Sequence, residues 1–170
     1  MREGDEVVRV VATGGSDDLM LVTHRGMSIR FNEAEVREVG RDSTGVRGIK
    51  LKDDDKAIAL DVVRPDADLF LVTDTGFGKR VKTDRFHVQG RGGQGVRAIK
   101  LTAARGFVVA AFMAALSDEV LLASSGGVLI RTSVREVSSQ GRDATGVRVM
   151  NLDEGHSVAT AAVVPADVED

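Results

Sequence analysis

The 170-residue chain contains no cysteine, no tryptophan and no tyrosine, and only two prolines. Without cysteine there are neither disulfides nor thiolate metal sites, and a reducing cytosol suits the chain. Without tyrosine or tryptophan, and with 6 phenylalanines that fit apolar runs, stacking on unpaired bases is disfavoured. No apolar run approaches the length of a membrane span, and the first ten residues, MREGDEVVRV, are not a signal peptide. The expected setting is therefore cytoplasmic, with no membrane partner. The net charge of −3 argues mildly against nucleic acid, because domains that bind it are usually basic.

Glycine is abundant, at 19 residues, and it alternates with short Val/Leu runs. That combination points to strands joined by tight turns. Three segments align with one another: LMLVTHRGMSIRF from Leu19, LFLVTDTGFGKRV from Leu69 and VLLASSGGVLIRT from Val120. Three more follow in the same register: GRDSTGVRGIKL from Gly40, GRGGQGVRAIKL from Gly90 and GRDATGVRVMNL from Gly141. The offsets are 50 and 51 residues in both sets. A repeat of this period marks supersecondary units, each of which cannot bury its apolar face alone.

Each unit reads as four strands. A run apolar on both faces comes first (Leu19 to Thr23, Leu69 to Thr73, Val120 to Ser124). A glycine turn follows at Arg25-Gly26, Thr75-Gly76 or Gly126-Gly127. The second strand alternates, with Ile29 and Phe31 on one face and Ser28 and Arg30 on the other. A loop bounded by glycines leads to VRGIKL, VRAIKL or VRVMNL, and a longer apolar strand closes the unit at Ala57 to Val63, Phe107 to Met113 and Val158 to Val164. FNEAEVREV could form one helical turn, but its counterpart VKTDRFHV does not look helical. The expected fold is all-β and propeller-like, a partial ring of three units. Repeats span 19–68, 69–119 and 120–164, with 1–18 holding the last strand of a preceding repeat (DEVVRVVAT, 5–13) and a connection, and 165–170 an acidic tail. Three units expose sheet edges that repeat proteins cap or close. The alternatives are a fragment of a longer array, or half of a ring closed by self-association.

The QGRGGQG segment of residues 89–95 inside a 50-residue β repeat resembles the C-terminal domain of the gyrase A protein of DNA gyrase, a β-pinwheel. The resemblance covers residues 5 to 164, with Gly-Arg-x-x-x-Gly-Val-Arg three times in register. It implies a domain that wraps duplex DNA around a basic perimeter and so supports ATP-dependent negative supercoiling. The implied partners are double-stranded DNA, the rest of a gyrase A-type subunit, and the partner subunit that hydrolyses ATP. That family's glycine-rich box reads Gln-Arg-Arg-Gly-Gly-Lys-Gly. Gln89, Arg91, Gly92, Gly93 and Gly95 match it, whereas Gly90 and Gln94 replace two cations. In that family the DNA-cleaving nucleophile is a tyrosine, and this chain has none, nor a nucleotide-binding loop. The expected role is non-catalytic, without cofactor.

Gly90-x-Gly92-x-x-Gly95 also has the spacing of a dinucleotide loop, but a strand follows it instead of a helix, and Gly95 is followed by Val96. Gly40, Gly90 and Gly141, with Gly45, Gly95 and Gly146, read first as turn glycines. In the middle loop Gly92 and Gly93 replace Asp42-Ser43 and Asp143-Ala144, which removes an anion and lets a phosphate strand approach. From Gly76 to Lys100 the cations Lys79, Arg80, Lys82, Arg85, Arg91, Arg97 and Lys100 face Asp84 alone. Arg30, Arg80 and Arg131 recur on the polar face of the second strand as a candidate perimeter stripe, with Arg41 and Arg142 in the loops. The candidate DNA contacts are therefore Arg30, Arg41, Lys79, Arg80, Lys82, Arg85, Gln89, Gly90, Arg91, Gly92, Gly93, Gln94, Gly95, Arg97, Lys100, Arg131 and Arg142. Arg47, Arg97 and Arg148 divide evenly between structural and DNA-contacting roles. His24, His87 and His156 occupy unmatched positions, and Asp53-Asp54-Asp55 lacks an EF-hand pattern, so no metal is expected. The competing reading is a propeller-like scaffold for protein partners, with weak or no DNA binding.

Overall fold

The computed structural model describes residues 4–52 and 54–166. Asp53 and the tail from Asp167 lie outside the described residues, as do Met1, Arg2 and Glu3. Eleven strands are present in the described residues: β1 (Asp18–Thr23), β2 (Met27–Asn32), β3 (Ala57–Val62), β4 (Ala67–Thr73), β5 (Phe77–Lys82), β6 (Val96–Arg97), β7 (Val108–Ala115), β8 (Glu119–Ser124), β9 (Leu129–Ser133), β10 (Val147–Arg148) and β11 (Val158–Val164). They form three antiparallel sheets, ordered β3-β1-β2-β6, β10-β5-β4-β7 and β11-β8-β9. None of the described residues forms a helix that is long and apolar enough to cross a membrane.

The local rules act as expected in the hairpins. β1 and β2 pair from Asp18↔Asn32 to Val22↔Ser28, and β4 and β5 from Asp68↔Lys82 to Val72↔Gly78. The turn glycines Gly26, Gly76 and Gly127 all hold φ near +80° (78°, 84° and 80°), a region that costs other residues dearly. The first and last strands of the middle unit, β4 and β7, are apolar because both faces are covered by neighbouring blades, whereas β11 of the last unit keeps exposed residues. Met20, Val22, Leu69, Leu71 and Met113 fill the core between the first two blades. Phe70, Val72, Phe112, Val120 and Leu122 fill the core between the second and third. There the Phe70 and Phe112 rings stack with centroids 5.5 Å apart. The inner strands β3, β7 and β11 converge on one cavity, lined also by Val8 and Arg9, so each sheet runs outward from a common centre.

Three expectations are corrected. The third strand of a sequence repeat does not belong to its own sheet: β6, from repeat 2, pairs with β2 of the first sheet, and β10, from repeat 3, pairs with β5 of the second. Each outer strand is thus given to the preceding blade, which is why the last sheet has three strands. The matching residues of repeat 1, Val46 and Arg47, form no strand. Neither do residues 5–13; Val7, Val8 and Val10 are 67%, 50% and 82% exposed. Finally, both FNEAEVREV and VKTDRFHV do make a single 3-10 turn, at Glu33–Glu35 and Thr83–Arg85, with a third at Val134–Glu136. In the first and last, the side chain of Asn32 or Ser133 accepts the backbone N–H two residues on.

Candidate nucleic-acid interface

The strand exchange fixes the geometry of the glycine-bounded loops. Gln89 and Gln140 enter their loops by donating backbone N–H groups to Arg30 O (2.8 Å) and Arg80 O (2.9 Å) of the preceding blade. Ala98 and Val149 leave by bonding Gly26 O (2.8 Å) and Gly76 O (2.9 Å). Neighbouring loops also bond each other. Gly92 N–H donates to Gly48 O at 2.7 Å, Lys50 N–H to Gly93 O at 2.8 Å, and Lys100 N–H to Ala144 O at 3.1 Å. The three loops therefore form one continuous row along the outer edge.

The glycines of the row are not equivalent. Gly95 and Gly146 have φ of +69° and +83°, and a Cβ there would lie 2.2 Å from Ser28 O and 2.8 Å from Gly78 O. Gly40, Gly90 and Gly141 have ordinary φ, and no atom lies within 4 Å of an added Cβ; they are not obligatory turn glycines. We expect Gly95→Ala and Gly146→Ala each to cost about 2 kcal/mol or more, and Gly90→Ala to stay within about 0.5 kcal/mol, in urea denaturation. Equal effects at all three positions would contradict the close approach.

The arginine stripe has a different task from the expected one. Arg30 Nη2 pairs with Asp18 at 2.8 Å and Arg80 Nη1 with Asp68 at 2.7 Å; Arg131 pairs with Glu119. Arg30 Nη1 also donates to Thr83 O (3.1 Å) and Phe86 O (3.3 Å), and Arg80 Nε to Val137 O (2.7 Å). Burial pushes the Asp18 carboxyl up, but hydrogen bonds from Asn32 and Arg30, with the Arg30 charge, outweigh it and hold the group below the ordinary value. Arg30 and Arg80 are thus joints between blades, only 21% and 15% exposed in their side chains. Ser28, expected on an outer face, is fully buried and donates to Val96 O at 3.1 Å, because the exchanged strand covers it.

Lys79 is corrected outright. It has no exposed surface, and its Nζ donates to the carbonyls of Gly141 (2.7 Å), Arg142 (3.0 Å) and Ala144 (3.0 Å). Burial lowers its pKa from 10.5 to about 8, against an opposing pull from Asp143. It holds the third loop from beneath and faces no solvent.

Arg91 and Arg142 are partly tied as well. Arg91 Nη1 donates to Arg47 O at 2.6 Å and Arg142 Nη1 to Arg97 O at 3.3 Å. Arg91 further donates its backbone N–H to Glu35 Oε2 (2.7 Å) and its Nε to Glu35 O (3.2 Å). Gln94 is exposed, whereas Gln89 Nε2 is buried without a hydrogen-bond partner. The divided trio separates: the Arg148 guanidinium lies 4.4 Å over the Phe77 ring, with Arg105 at 3.6 Å. Arg97 reaches only the exposed Asp143, at 3.1 Å, and Arg47 is exposed.

Of the expected contacts, the cations with free or loosely held heads are therefore Arg41, Lys82, Arg85, Arg97 and Lys100. Arg25 and Lys52, which sequence reasoning passed over, join Arg97 and Lys100 around one groove that contains, among the described residues, a single acid, Asp55. Lys52 continues the Lys50-x-Lys52 alternation, a signal that was present. No group of three His, Cys, Asp or Glu that could hold a metal occurs among the described residues.

Hairpin blades that exchange their outer strands around a common centre define a propeller-type repeat domain. The family described as "DNA gyrase C-terminal domain, beta-propeller" matches residues 17–64, 67–115 and 118–165, and the chain belongs to it. The gyrase A protein of Aminobacterium colombiense DNA gyrase is 42% identical over 165 residues, 97% of this chain and 20% of that protein. Its Salmonella typhimurium counterpart is 39% identical over 170 residues, 100% of this chain and 19% of that protein. The chain spans about a fifth of the length of these relatives. Among solved structures, the C-terminal domain of DNA topoisomerase IV overlays with a TM-score of 0.93 and 27% identity, covering 98% of this chain and 52% of that one. A DNA gyrase A C-terminal domain gives 0.82 and 31%, covering 87% and 50%.

Proposed function

We propose that the chain is a non-catalytic module that binds and bends duplex DNA for a gyrase A-type subunit. It would serve ATP-dependent negative supercoiling by the whole enzyme in the cytoplasm. Its partners are double-stranded DNA, the remainder of the gyrase A-type protein, and the subunit that hydrolyses ATP. The observation that carries this reading is the continuous row of interlocked loops, on which Arg41, Arg97 and Lys100 are exposed, with Arg85 beside the third loop and Lys82 exposed at the end of β5. Cations held on rigid backbone suit phosphate positioning without base readout. Gln89, Gly90, Gly92, Gly93, Gln94 and Gly95 shape the middle loop, while Arg30, Lys79 and Arg80 support the row from within.

The acidic total charge does not oppose this, because from Gly76 to Lys100 seven cations face Asp84 alone, whereas acids are concentrated in residues 52–56 and near both ends of the sequence. A 40-base-pair duplex titrated by fluorescence anisotropy at several salt concentrations tests the reading. Each phosphate contact contributes about −0.9 to the log–log slope, so a wrapping surface should give about −4 or steeper. No binding at low salt would reject the DNA role and leave the protein-scaffold reading.

A further inference from the structure

A groove of about 420 Å³ lies at the junction of the first two blades, where both partners of the junction are present. One wall is Arg25 and Met27 at the β1–β2 turn, with Lys52 and Asp55 before β3. The other is Arg97 of β6 and the residues after it, and Phe107 closes one end. The floor is apolar. Met27 and Leu101 are half-buried, and Phe107, whose ring stacks on His24 at 4.6 Å, is 41% exposed. The rim is cationic. Arg25, Lys52 and Lys100 are exposed and enter no salt bridge among the described residues. Asp55 already accepts the backbone N–H groups of Arg25 and Lys56 on one oxygen, both at 2.9 Å.

The next junction shows what a groove of this kind takes. There Phe77 stands where Met27 does: Phe77 pairs with Arg148, and Met27 with Arg97. Arg105 stands where Asp55 does. The Phe77 ring is 8% exposed, with the Arg105 guanidinium 3.6 Å and the Arg148 guanidinium 4.4 Å from its centre. The second junction therefore supplies its own aromatic ring to its cations. The first has the cations and an apolar floor, but a thinner methionine in place of the ring.

We propose that this groove binds a segment of a partner protein in which an aromatic side chain is flanked by carboxylates. The ring meets Arg97 as Phe77 meets Arg148, over Met27, Leu101 and Phe107, and the carboxylates meet Arg25, Lys52 and Lys100. Four cations around one occupied acid select an acidic partner. The apolar floor selects a ring over a bare anion. A DNA duplex matches this chemistry less well, because its phosphates satisfy the rim while its bases stay stacked inside and offer the floor nothing apolar. Arg97 and Lys100 border both surfaces, but the groove is a site for protein beside the row of loops, and it stands whether or not the row binds DNA.

Fluorescence anisotropy of a short dye-labelled peptide, one phenylalanine centred among glutamates, tests this on the full chain without DNA. The peptide should bind, and serine in place of its phenylalanine should weaken binding by about tenfold or more. Lys52→Glu, at an exposed position that leaves the fold intact, should weaken it by about threefold or more. Met27→Phe keeps every cation and supplies the ring from within. It should keep the parent Tm and the parent duplex affinity, yet bind the peptide about tenfold more weakly. A peptide that does not bind, a serine peptide that binds equally, or a Met27→Phe variant that binds like the parent would each overturn the proposal. So would a Met27→Phe loss that falls on the duplex instead of the peptide, which would put DNA in the groove.

Discussion

Lys79→Ala will lower the stability of the fold by about 3–5 kcal/mol, through a cavity and the loss of three charge-assisted bonds to loop carbonyls. For a domain of this size that is a fall of roughly 10 °C in Tm. The side chain is buried entirely and its ammonium is the hydrogen-bond donor shared by Gly141, Arg142 and Ala144. Two effects compete. Burial penalises the charge by about 3 kcal/mol, the size of a shift from 10.5 to about 8. The lowered value is already net of what favours the cation, so burial outweighs that attraction, and the three carbonyl bonds stabilise the fold only by comparison with a side chain that cannot make them.

Isoleucine is the informative control, because Ile29 and Ile130 stand at the matched positions of the other two repeats. Lys79→Ile refills the volume yet removes the ammonium bond from all three carbonyls, of which Gly141 O keeps Ala144 N–H and Ala144 O keeps Lys100 N–H, so its loss should be smaller than alanine's. The difference between parent and Lys79→Ile should also depend on pH. The folded pKa, about 8, lies below the ordinary 10.5. Between those values the unfolded chain keeps a proton that the fold has released, so raising the pH favours the fold. The stability of the parent relative to Lys79→Ile should thus be flat below pH 8 and rise by about 3 kcal/mol towards pH 10.5. Urea titrations across that range measure it. A difference that stays constant would mean that burial does not lower the pKa of the lysine and that its carbonyl bonds fully offset the cost of desolvation.

What was legible in the sequence was local or periodic. The turn glycines and twofold-buried runs recur at fixed offsets, and each acts through its own φ or its own hairpin, so three repeats of all-β structure could be read directly. Strand exchange was not legible, since nothing in the VRAIKL segment says which of two blades supplies its hydrogen bonds. That one non-local fact reassigned the site. Once β6 covers β2, Ser28 and Arg30 face a protein neighbour instead of water. Two signals were available and unused. Asp18, Asp68 and Glu119 recur at the same period as the arginines they hold. Lys79 was the one charged residue at a position that is isoleucine in both other repeats. Rarity within a repeat pointed to a structural role, while sheer cation density pointed to phosphate.

That distinction yields the second large effect: Arg80→Glu will be a folding defect, and the Lys82→Glu/Arg85→Glu pair a binding defect. Arg80 and Asp68 are 15% and 18% exposed in their side chains and 2.7 Å apart, and Arg80 also holds Val137 O. Reversing its charge sets two half-buried carboxylates against each other and frees the Val137 carbonyl, at a cost of about 3–5 kcal/mol. Lys82 is exposed, and Arg85, 68% exposed, has only a loose contact with Asp84 at 3.8 Å. Their reversal should change stability by no more than about 0.5 kcal/mol each. It should reduce the salt slope of duplex binding by about 2 and weaken all sequences alike. Melting curves and anisotropy titrations on the same preparations separate the cases. If Arg80→Glu keeps the parent Tm and loses only DNA, the stripe is a contact surface and not a joint. If the double reversal leaves the slope unchanged, the phosphates pass elsewhere, and the Arg25, Lys52, Arg97 and Lys100 groove becomes the next surface to reverse.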